Sequence, residues 1–143
     1  MSDDQPTFVQ SSVSSALARR LIDAGRAHAA TLGKNFTIAV VDVGGVLKAL
    51  ERMDGAALIS VQIAQDKAYT AVGFGISTAA WHDFIKDDPP LAAGAPSGID
   101  RLVVFGGGFP IFVDDALVGG IGVSGGHYSE DMEVAEAGLA ILG

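Results

Sequence analysis

The 143-residue sequence contains no cysteine, which excludes disulfides, iron–sulfur clusters, thiolate zinc sites and a cysteine nucleophile. Charge is also scarce. Only 18% of residues are charged, 9 of them basic against 17 acidic, for a net charge of -8. Phosphate backbones are held by clustered Lys and Arg, so nucleic acid is not an expected partner. No apolar run reaches the roughly 18 residues needed to cross a bilayer, which predicts no membrane partner. The opening Met1-Ser-Asp-Asp-Gln-Pro6 lacks the basic and apolar blocks of a secretory signal, and the expected location is cytoplasmic. What the sequence does have is 49% apolar residues, enough to exclude a disordered chain, and 19 glycines, nearly twice the average share of about 7%. This length suits a single domain over residues 1–143, with residues 1–10 as a flexible arm.

Apolar spacing over Ser11 to Leu32 predicts one helix with Gly33 as its stop. The β-branched run Phe36 to Asp42 and the extended run Val46 to Met53, joined by Val43-Gly44-Gly45, read as a hairpin. A second helix is predicted over Ala56 to Val72, broken by Gly73 to Gly75. A third, capped by Ser77 or Thr78, runs to Ile85, and an irregular loop follows from Pro89 to Ser97. Strands are predicted at Leu102–Phe105, Ile111–Val113 and Leu117–Ser124, with Ser129 as the N-cap of a final helix to about Leu142. The result is an α+β sheet domain.

Five motifs then resemble one family: Asp42-Val-Gly-Gly-Val-Leu47, Arg52-Met-Asp-Gly-Ala56, Lys67-Ala-Tyr-Thr-Ala71, Gly107-Gly-Phe-Pro-Ile111 and Val118-Gly-Gly-Ile-Gly-Val-Ser-Gly-Gly126, the last followed by Glu130-Asp131. Their order and spacing are similar to the GlcG/HbpS family. That group includes small heme-binding proteins and the C-terminal module of PduO cobalamin adenosyltransferases. The resemblance implies a profilin-like α/β/α layered domain on a five-stranded antiparallel sheet, a homo-oligomer, and a tetrapyrrole ligand, heme being the named cofactor. Some members hold heme through a histidine on the first helix, which points to His28. That residue lies on the helix's apolar stripe and is otherwise a packed, hydrogen-bonded histidine.

The residues themselves suggest a pocket at strand and helix ends. Arg52 offers a rigid fork for a carboxylate, propionate or phosphate, with Asp54 as its brace or as a base. Lys67 and Thr70, three apart on one helix side, either serve the same anion or form an ordinary surface lysine and its neighbour. Gly107 and Gly108, in a triple glycine, form a wall that approaches a ligand closely or simply a tight turn. They lack the ending of a phosphate-binding loop. Ser124 and His127 flank the next glycine pair, and His127 with Glu130 has the parts for proton transfer. Helix capping explains Ser129, Glu130 and Asp131 equally well. Trp81, His82 and Phe84 read as packing or an oligomer contact, and no spacing specifies a metal site. Two functions follow: a ligand-binding protein whose pocket takes heme, or a catabolic enzyme acting on a carboxylate, with Asp54, His127 and Glu130 moving the proton.

Overall fold

The computed structural model describes residues 4–143; the first three residues of the expected arm lie outside the described residues. Helix α1 (Ser15–Thr31) starts later than its apolar spacing suggests, because the Val13 N–H is taken by the Val118 carbonyl at 2.9 Å. Ser14 then caps the helix by accepting from the Leu17 N–H. Strands β1 (Thr37–Asp42) and β2 (Leu47–Arg52) form the expected hairpin. Its turn is held by Asp42, whose Oδ1 accepts from the N–H groups of Gly44 and Val46. Helix α2 (Leu58–Phe74) passes through Gly73 and stops at Gly75, which adopts a left-handed conformation. Helix α3 (Thr78–Ile85) is capped by Ser77.

Two expectations fail in the middle of the chain. The segment expected to be an irregular loop is helix α4 (Pro89–Gly98): Asp88 caps it, and its leading prolines fall where helical N–H groups are unsatisfied anyway. Leu102–Phe105 is not a strand. The Val103 N–H is bound by the Thr70 hydroxyl rather than by a neighbouring strand, and the next strand, β3 (Gly108–Val113), starts only at the last residue of the triple glycine. The sheet therefore has four antiparallel strands and not five, in the order β2-β1-β4-β3, with β4 at Ala116–Ser124. Asp114 and Asp115, both at positive φ, close the β3–β4 hairpin. Helix α5 (Tyr128–Leu139) is capped by His127, not Ser129. The His127 ring accepts from the Ser129 N–H, and Glu130 accepts from the His127 N–H.

Helices α1 and α5 cover one face of the sheet and α2 the other, so β1 is buried on both sides. Ile38, Val40, Ile121 and Val123 pack with Leu21, Ile22 and Val134. On the opposite face Val41 meets Ala68 and Val72. No helix among the described residues is long and apolar enough to cross a membrane.

Candidate functional site

Antiparallel register sets Thr37 opposite both Arg52 and Ser124. These three form one cross-strand row at the end of the sheet from which β3 starts and β4 leaves. Thr37 Oγ1 bonds Ser60 of α2 at 2.8 Å, so the row faces α2. Arg52 is spent inside its own turn: Nε and Nη2 both donate to the Ala56 carbonyl, at 3.0 and 2.8 Å, while Asp54 is exposed beside it.

The centre of this end is Lys67. Its side chain is fully buried, and Nζ donates to the Val123 carbonyl and to Asp131 Oδ2, each at 2.9 Å. Asp131, 3% exposed, accepts at Oδ1 from the Gly126 N–H. The Phe105 ring lies over the ammonium, 5.0 Å to its centroid. Gly107 is required here twice over: its φ is +129°, and a Cβ would come within 2.6 Å of Lys67 Nζ. Burial pushes the Lys67 pKa down against the pull of Asp131, and burial pushes the Asp131 carboxyl up against the pull of Lys67. Lys67 is therefore an internal tie between α2, β4 and α5 rather than a free cation. The match spans 64 residues and has no local signature, which is why sequence spacing gave no sign that Asp131 pairs with Lys67.

The remaining candidates sit around this pair. Glu130 accepts from Lys34 Nζ at 2.5 Å and from the His127 N–H, and those two bonds hold its carboxyl below the ordinary value. His28, half-buried on the α1–α5 face, meets Glu133 with 2.7 Å between Nε2 and Oε2. Thr70 lies away from this cluster, donating to the Arg101 carbonyl and accepting from the Val103 N–H. The Gly108 N–H donates to Thr78 Oγ1. Among the described residues no three His, Asp or Glu side chains are grouped to hold a metal ion.

Beside the buried pair is a cleft of about 390 Å³ between α3, the 104–106 segment and α5. Ala79, His82 and Asp83 form one wall, Val104, Phe105 and Gly106 the floor, and Tyr128 and Met132 the other wall. Phe105 links cleft and ion pair, one ring face toward Lys67. Sequence reasoning missed this site because its parts come from three elements. The available signals were Tyr128 and Met132 at helical spacing and a phenylalanine abutting the triple glycine.

A family model described as haem degrading protein HbpS-like matches residues 13–140. The chain belongs to the HbpS-like family. It is 33% identical over 124 residues to an uncharacterized 15.0 kDa protein from the dhaT-dhaS intergenic region of Citrobacter freundii, covering 87% of each. Among solved structures, ORFY of Klebsiella pneumoniae superposes with a TM-score of 0.91 at 26% identity, over 99% of this chain and 97% of that one. A PduOC:heme complex superposes with a TM-score of 0.84 at 30% identity, over 90% and 94%. The family expected from the five motifs is thus met, while the fold differs from expectation in its strand number.

Proposed function

We propose that this HbpS-like chain is a small-molecule-binding protein whose cleft between α3, the 104–106 segment and α5 takes a tetrapyrrole of the heme type. The cleft itself carries the proposal. Its volume lies within the roughly 300–1,000 Å³ of small-molecule sites, and its lining residues fit the group. His82, Met132 and Tyr128 are all side-chain types that ligate heme iron, and Val104, Phe105 and Ala79 supply apolar contact. Lys86, 3.5 Å from the Asp83 carboxylate on the cleft wall, is a cation within reach of a propionate. Bound heme would supply iron chemistry; the chain's own part is to hold the macrocycle and screen it from water. The buried Lys67–Asp131 pair fixes the floor under Phe105. The PduOC:heme complex, a structure of the same fold, supports the ligand class.

One observation favours a second location. The His28 imidazole is held on one nitrogen by Glu133, the arrangement that orients metal-ligating histidines. The acid–base alternative is less favoured, because Arg52, Lys67, His127 and Glu130 are each engaged in internal bonds.

Titrating the purified protein with hemin and recording visible spectra separates these readings. A saturable Soret shift is expected, weakened at least about tenfold in His82→Ala and unchanged in His28→Ala, since a lost ligation interaction costs one or more decades of affinity. The reverse pattern moves the ligand to the α1–α5 face, and no shift in the native protein ends the tetrapyrrole reading. Self-association belongs to the same proposal. Leu58 and Ile59, 75% and 70% exposed at the start of α2, form an uncovered apolar step. Sedimentation velocity is expected to give a mass above 14.6 kDa; a monomer at tens of micromolar would contradict it.

A further inference from the structure

A second cleft, of about 380 Å³ and sharing no lining residue with the first, lies between the C-terminal half of α2, Trp81 of α3, and Ile99, Asp100 and Leu102. The groups around it are largely committed. Thr70 both donates and accepts within the protein. Arg101 stacks on the Tyr69 ring at 4.1 Å and donates from Nε to Asp66 at 2.9 Å. Trp81 differs. It is 8% exposed, it lines the cleft, and its Nε1–H is the one buried side-chain polar atom among the described residues without a hydrogen-bond partner. Buried donors are nearly always paired, so an orphan asks for an acceptor.

The surroundings define that acceptor. The Phe74 ring leans on Trp81 at 5.5 Å between centroids, yet Phe74 is 62% exposed. The Phe84 ring packs on the same indole at 5.8 Å and is also exposed, so Trp81 is enclosed by two rings that themselves face solvent. Phe74, Tyr69 and Trp81 offer aromatic faces, and Ile99 and Leu102 an aliphatic wall. Asp100 places a carboxylate at the cleft of a chain that already carries a net charge of -8, which disfavours anions.

We propose that this second cleft binds a small, uncharged aromatic molecule bearing one carbonyl-type oxygen, which accepts the hydrogen bond of Trp81 Nε1–H. The site is separate from the tetrapyrrole cleft and does not depend on it. Aromatic contact supplies most of the affinity, and the single hydrogen bond selects ligands that carry an acceptor.

Trp81 is the only tryptophan, so the ¹⁵N-labelled full chain gives one indole N–H resonance that reports this donor alone. Three probes of similar shape are titrated at pH 7: acetophenone, isopropylbenzene, which lacks the oxygen, and benzoate, which adds a charge. Acetophenone is expected to move the indole proton downfield and saturably. Isopropylbenzene is expected to bind at least about tenfold more weakly with no downfield shift, and benzoate more weakly than acetophenone, following the rejection of partners that leave a donor unpaired. In Trp81→Phe, which keeps a ring but loses the donor, the Leu102 amide is expected to report a similar loss for acetophenone. An indole resonance unmoved up to the solubility limit of acetophenone overturns the proposal, as does equal binding of the hydrocarbon. The probe series needs no substitution, so it stands even if the Trp81 variant is unstable.

Discussion

Replacing Asp131 with alanine is expected to lower the free energy of unfolding by roughly 3–5 kcal/mol, the cost of leaving one partner of a buried ion pair alone. Urea melts at pH 7 measure it, and an unchanged midpoint would contradict the role given to the pair. The physical reason is the complete burial of Lys67: with Asp131 gone, its ammonium keeps only the Val123 carbonyl and the Phe105 ring. The variant's pH dependence has a definite sign. Burial already lowers the folded Lys67 pKa below 10.5, and losing Asp131 lowers it further. Between that lowered value and 10.5 the unfolded chain binds more protons, so stability of the variant rises with pH across that window. The double variant Lys67→Met with Asp131→Leu leaves no charge unpaired and is expected to cost less than Asp131→Ala alone. Its Phe105 cleft is also the cleanest place to ask whether ligand affinity depends on the ion pair or only on a packed floor.

Gly122→Ala is expected to be of similar size for a different reason. Gly122 has an ordinary backbone conformation, but an added Cβ would run into the Ala64 carbonyl oxygen and approach the Ala68 nitrogen to 2.6 Å. Helix α2 must then lift from β4. Overpacking of this kind costs about 3 kcal/mol or somewhat more, and the melting temperature should fall by roughly 10 °C at about 2–4 °C per kcal/mol for a chain of this size. Gly94→Ala in α4 provides the contrast, because nothing lies within 4 Å of its added Cβ. It should gain about 0.5–1 kcal/mol from reduced backbone freedom in the unfolded chain. Equal melting temperatures for the two variants would show that α2 does not rest on the sheet as closely as the geometry requires.

Both substitutions touch residues that the sequence made conspicuous without explaining. The glycines at 120 and 122 read as part of a family-like strand motif, yet their purpose is the approach of a helix backbone, visible only once α2 lies across β4. Lys67 stood out as a cation in a chain with only 9 basic residues. Its partner could not be read, because an ion pair 64 residues apart leaves no periodicity. Pro89-Pro90 misled in the opposite direction: prolines that usually break structure stand here at the first turn of a helix, where a missing N–H costs nothing. Leu102–Phe105 has a strand's composition, but Thr70 captures its backbone, and composition alone does not record a side-chain competitor.

The three long helices, the β1–β2 and β3–β4 hairpins and the family were legible in the order of residues, because hydrophobic period, turn residues and motif order are local properties. The strand count, the pairing of Lys67 with Asp131 and the two clefts lined by residues of the 99–106 segment came from the tertiary structure alone. Each of these depends on which distant groups meet and which are shut off from water, and burial is what turns a lysine into a tie and a tryptophan N–H into an unfilled donor.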